Sequence, residues 1–191
     1  MNIKASFYTV LKTIGILLQI SVAMLFLHTQ AFADSPAPPY DFKKVTENKK
    51  YVFVMLAPDG WAEQDQKIRK IYKQSGLYKN DGSSTPLWTV DRYAFEVFPC
   101  SDGEHLIQMG PWASSTDQLA ISFHKNGKII KDYQIKDLIK DESKMMHTVS
   151  HFFWRSELKY DDKHTVLFLK TADNQAYKFS AITGEILPIA R

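Results

Sequence analysis

The sequence has 191 residues, 45% of them hydrophobic and 24% charged, with 24 Lys and Arg against 21 Asp and Glu for a formal net charge of +3. Such a composition excludes a wholly disordered chain, a collagen-like repeat and a multi-span membrane protein. The small charge excess supplies no footprint for nucleic acid, which requires a concentrated basic surface, and one domain of ordinary size remains, able to bury a core without disulfides.

Met1 to Lys12 carries two lysines, Thr13 to Leu27 is uncharged and apolar, and Ala31-Phe32-Ala33 sets small residues in the small-x-small pattern before Asp34. This layout predicts a secretory signal peptide over residues 1–33. The rival reading, an uncleaved anchor, is weakened by Gln19, Ser21, His28 and Gln30 at the far end of the apolar run. Both readings place residues 34–191 outside the cytoplasm, periplasmic or secreted, and cleavage leaves no membrane attachment. Two of the cationic residues, Lys4 and Lys12, and no acidic one lie in this segment, so the remaining 158 residues are nearly neutral.

Residues 34–40 (DSPAPPY) hold prolines at 36, 38 and 39, which keep the segment extended and out of any ladder. A polar, basic approach follows to residue 50, and residues 51–190 form the predicted domain. Tyr51 to Ala57 (YVFVMLA) reads as a strand buried on both faces and stopped by Pro58-Asp59-Gly60. Residues 62–73 (AEQDQKIRKIYK) predict a helix, with Ile68 and Tyr72 four apart and Gly76 as its stop. Tyr78 to Pro86 is dense in turn formers and predicts a long exposed loop, with Asn80 and Asp81 as candidate ligand contacts.

A meander of short strands is expected next: residues 87–90 (LWTV), 94–98 (AFEVF), 105–109 (HLIQM), 119–124 (LAISFH) and 128–133 (KIIKDY). Asp102-Gly103 and Asn126-Gly127 are hairpin turn signals. Leu119, Ile121 and Phe123 alternate with Ala120, Ser122 and His124, which predicts one core face and one wetter face with His124 near solvent. Residues 134–144 suggest a helical turn, and residues 151–160, 165–171 and 176–180 complete about nine strands, joined too tightly for parallel crossovers. The fold class is therefore all-β, mainly an antiparallel meander, arranged as a sandwich or a partial-propeller-like sheet with one or two short helices. Repetition of strand, tight turn and strand around residues 94–109, 119–133 and 165–180 resembles propeller blades, but the length is short of the about four blades a closed ring needs. Self-association would be one way to complete such a ring.

Three stretches, residues 75–95 (SGLYKNDGSSTPLWTVDRYAF), residues 101–115 (SDGEHLIQMGPWASS) and residues 119–133 (LAISFHKNGKIIKDY), resemble exported bacterial β-rich proteins of uncharacterised function. The resemblance implies an exported bacterial domain and carries no activity, cofactor or catalytic residue.

Chemistry-bearing residues are sparse. Cys100 is the single cysteine, five residues before His105 across a turn that would bring an imidazole near a thiolate; its bland role is a small hydrophobe near a strand end. Met145, Met146, His147 and His151 combine two imidazoles four residues apart with thioethers, a donor set suited to copper or zinc. Trp112 follows Gly110-Pro111, which would turn an indole outward for stacking against a sugar or another ligand. No nucleophile elbow, zinc-protease motif or phosphate-cradling glycine loop is present, and no cofactor is implied. The sequence thus points to a non-catalytic binding or assembly module of unknown ligand, with a periplasmic metal-binding protein as the alternative.

Overall fold

Among the described residues, apolar and β-branched runs interrupted by turn formers fold into thirteen strands in four antiparallel sheets, with two short helices. The computed structural model describes residues 35–60 and 63–189, so the signal segment and the first residue of the helix expected over 62–73 lie outside the described residues. Among the described residues, no helix is long and apolar enough to cross a membrane.

The first sheet runs β1 (Phe42–Val45), β2 (Tyr51–Met55), β3 (Gly76–Lys79) and β4 (Trp88–Thr89) in that order, each strand antiparallel to the next. The second is another four-stranded meander of β5 (Val97–Pro99), β6 (His105–Met109), β7 (Leu119–Lys125) and β8 (Lys128–Gln134). Helix α2 (Ile135–Leu138) and a 3-10 turn at Glu142–Lys144 lead to a two-stranded ribbon of β9 (Met146–His147) and β10 (Phe152–Phe153). The third meander comprises β11 (Arg155–Asp161), β12 (Val166–Thr171) and β13 (Ala176–Ser180). Its last strand is met by residues 185–187, where Ser180 N donates to Glu185 O at 2.9 Å and Phe179 bridges Ile186.

Two cores join the three meanders. Phe53, Leu77 and Trp88 of the first sheet pack with Val97 and Leu106 of the second. Ile107, Ile121 and Phe123 of the second pack with Leu167, Leu169 and Phe179 of the third, beneath Ile135 and Leu138 of α2. Strands β6 and β7 of the second sheet are thus buried on both faces, whereas β8 at its edge is largely exposed. At one end α1 (Gln66–Ile71) lays Ile68 against Val52, Val54 and Tyr78 of the first sheet. At the other, β12 presents Phe168 to solvent among Lys170, which pairs with Glu157 at 3.7 Å, and Lys178, whose ammonium lies over the ring.

Helix α1 is shorter than residues 62–73. It starts where the Asp65 side chain accepts from Lys67 N at 2.7 Å and Ile68 N at 3.2 Å. It ends at Ile71, well before Gly76, which is already part of β3. A buried carboxylate fixes this region: Asp41 accepts from Ala57 N at 2.6 Å, Asp65 N at 2.8 Å, Arg69 Nε at 2.7 Å and Arg69 Nη2 at 3.0 Å. Arg69 Nη2 also donates to Ala57 O.

Three expectations need correction. The exposed loop begins at Asn80 and not at Tyr78, because Leu77 and Tyr78 pair with Phe53 and Val52, and Tyr78 is fully buried with its ring edge-on to Tyr72 at 4.7 Å. The basic approach contains β1, whose alternating exposed residues conceal its pairing with β2. His124 is not near solvent: it is 2% exposed, because its face of β7 is covered by the first sheet. Register places Gln108 beside Ser122 and Leu106 beside His124, and Leu106 lies in the core shared with the first sheet.

Gln108 Oε1 and Ser122 Oγ are buried without a hydrogen-bond partner, and the His124 imidazole is buried beside the Gly127 carbonyl. Burial pulls the His124 imidazole below its ordinary value of 6.5, with Arg92 acting the same way, against the Gly127 carbonyl and Asp132, which raise it. An unfolded chain therefore binds this proton before the folded one does, and stability falls as pH drops from 6.5 toward the lowered folded value. Urea unfolding from pH 7.5 to 5 is expected to show this loss, and His124→Leu to flatten it; equal pH slopes in parent and variant would contradict the assignment.

Candidate functional site

The strand β6 ends at Met109, and Gly110 continues the ladder by donating its N–H to Ala120 O at 2.8 Å. A Cβ at residue 110 would fall on the Leu119 carbonyl, so the chain passes this point only as glycine. Pro111 then turns it away, and Trp112 stacks on His151 with ring centroids 3.9 Å apart. His151 is held in turn: its Nδ1 lies 2.6 Å from Thr148 Oγ1, Thr148 N donates to its carbonyl at 2.8 Å, and Phe153 meets its ring edge-on at 4.6 Å. Phe152 N donates to Ala113 O at 3.0 Å, fastening the ribbon to the segment that follows the indole. Trp112 Nε1 is buried and has no acceptor.

Beside this stack is a cleft of about 280 Å3 lined by Phe95, Met109, Gly110, Pro111 and Trp112. Glu96 and Arg155 line it as well, paired through Arg155 Nη2 at 2.7 Å, and Pro36 and Ala37 of the proline-rich lead form the remaining wall. Such a site offers apolar and aromatic area with a few oriented polar groups, the usual makeup of a small-ligand cleft. The titratable groups among its lining residues are Glu96 and Arg155, which are engaged with each other.

The sequence-derived candidates separate in space. Trp112 is in the cleft. Asn80 and Asp81 are elsewhere: Asn80 N and Nδ2 donate to Lys50 O and Lys49 O, each at 2.9 Å, and Asp81 Oδ1 accepts from Ser83 N at 2.9 Å. That places them at the turn between β1 and β2. Asn48 of the same turn bonds Ser101 before the start of β6, whereas Trp112 follows the other end of that strand. His147 and His151 do not share a face. The chain reverses between them, His147 pairs with Phe152 and Thr148 bonds His151, so the imidazoles fall on opposite sides of the ribbon. Among the described residues no group of three or more His, Cys, Asp or Glu is placed to hold a metal ion.

Cys100 is fully buried, and desolvation pushes its thiol up to about 12, with the Tyr160 hydroxyl acting to lower it and Asp102 and Asp162 to raise it. His105 Nδ1 is engaged by Asp102 Oδ2 at 2.7 Å. The surroundings of the sulfur are a polar knot, in which Tyr160 donates to Asp162 at 2.8 Å and Ser101 N to the same carboxylate at 2.9 Å.

Three lining residues of the cleft, Phe95, Glu96 and Arg155, carry no functional signal in the sequence, nor does Tyr93, which anchors the lead beside it. The rings of Tyr93 and Phe95 lie edge-on at 5.1 Å, and the Glu96–Arg155 pair spans 59 positions and leaves no local trace. No known protein family matches the chain, and no curated protein matches it.

A buried neutral thiol is a poor nucleophile. In native protein at pH 8, Cys100 is expected to resist an aromatic disulfide reagent for hours and to react within minutes once unfolded; fast stoichiometric labelling of the folded chain would contradict its burial.

Proposed function

We propose that the domain is an exported, non-catalytic binding module that takes its ligand in the cleft at Trp112. The observation that carries this reading is the conjunction of a half-buried indole, fixed on one side by His151, with a cleft beside the Glu96–Arg155 pair that the proline-rich lead walls in part. An indole held by a stacking partner presents area at little conformational cost, and an ion pair at the same cleft supplies directional hydrogen bonding. Export is supported by the leader-like pattern of residues 1–33.

Soluble cell-wall oligosaccharides and short proline-containing peptides, titrated by calorimetry against the full chain, form the test. At least one class is expected to bind, and Trp112→Ala to weaken it by about tenfold or more, in the range of a lost aromatic anchor. Binding that is unaffected by Trp112→Ala and Arg155→Ala, or no binding by either class, would overturn the reading.

A further inference from the structure

Resting on the reading of the Trp112 cleft as a ligand site, we propose that it recognises an extended, proline-containing peptide, and that the chain's own lead, residues 35–40, is the resident ligand. The lead has the sequence SPAPPY, whose prolines restrict it to polyproline II geometry. Peptides of this kind dock in aromatic-lined grooves because little conformational entropy remains to be lost.

The lead is seated in this way. The Tyr93 hydroxyl accepts from Tyr40 N at 3.0 Å and donates to Tyr40 O at 3.1 Å, gripping both backbone groups of one residue. Glu63 N donates to Pro39 O at 2.8 Å, and Pro39 is buried. The Tyr40 ring packs at 5.7 Å from Phe42 and 6.3 Å from Phe95, itself a cleft residue. Upstream of this anchor, residues 35–38 are exposed and make no hydrogen bond among the described residues, yet Pro36 and Ala37 wall the cleft. The segment is thus hydrogen-bonded at Pro39 and Tyr40, while residues 35–38 lie exposed along the cleft wall, the condition for displacement by a competing segment. Polyproline II leaves backbone carbonyls free, and Trp112 Nε1 is a donor without an acceptor. A sugar has no counterpart to the lead's prolines, which is why the peptide is the occupant the observations favour.

The test titrates a synthetic hexapeptide of sequence SPAPPY into the full chain and into the variant Pro36→Gly/Pro38→Gly, following the Trp112 indole N–H resonance, identified by its loss in Trp112→Phe. Because the resident lead reduces the fraction of open clefts, the variant is expected to bind the peptide about tenfold more tightly than the parent, with a downfield shift of that resonance. A peptide with its prolines replaced by Gly is expected not to bind. Equal binding to parent and variant, or equal binding of the Gly peptide, would overturn the proposal. If oligosaccharides move the resonance and the peptide does not, peptide recognition fails while the ligand-cleft reading stands; if neither does, both fall. Concentration-dependent dimerisation abolished by the same lead substitutions would seat the segment on a second copy and overturn its role as a ligand in cis.

Discussion

The side chain of Asp41 is fully out of solvent, and four hydrogen bonds converge on it from two pieces of chain: Ala57, just past β2, and α1 through its cap residue Asp65 and Arg69. Burial alone would raise its carboxyl; the Arg69 hydrogen bonds, the Ala57 and Asp65 amides and the guanidinium charge outweigh this and hold it below the ordinary carboxylate value of 3.8. The ionised form is thus the folded form, so its contribution is complete above the unfolded value and is lost as pH falls through the lowered one. Buried ion pairs seldom exceed an apolar replacement in net stability. What this one supplies is position, since a carboxylate with both oxygens engaged leaves the backbone at residue 41 one way to run.

That direction governs both ends of the architecture. Downstream, Asp41 starts β1 and sets the helix against the outer face of the first sheet, so that the stack of meanders ends in a cap. Upstream, it delivers Tyr40 to the Tyr93 hydroxyl and the prolines before it to the cleft at Trp112. The far end of the stack needs no cap, because its outer face carries Glu157, Lys170 and Lys178 around Phe168. Repeated sheets that pack on neighbours require terminal faces that water tolerates. Here one end is covered by α1 and the other is charged.

Strands with strong local signals were legible. HLIQM and AYKFS coincide with β6 and β13, and Asn126-Gly127 forms the expected tight turn with positive φ at both residues. Elements were missed where local composition and tertiary burial disagree. β3 hides inside a turn-rich stretch because only Leu77 and Tyr78 carry its apolar content, and β1 is polar on its exposed residues. Alternation along β7 does not separate inside from outside, because both faces of that strand are buried and His124 is buried with them. Of the cleft, Trp112 was visible through Gly110-Pro111, whereas Tyr93 and Arg155 act on partners 53 and 59 positions away and only folding assembles them.

The central claim is that the Asp41 knot places the lead at the Trp112 cleft. Proton–proton nuclear Overhauser contacts between the Pro36 ring and the Trp112 indole test it most directly, measured in the full chain and in Asp41→Asn with the β6 and β7 amide resonances as the control for folding. The account predicts cross-peaks in the parent that vanish in the variant while those amide resonances stay in place. Cross-peaks missing from the parent, or undiminished in Asp41→Asn, would contradict it.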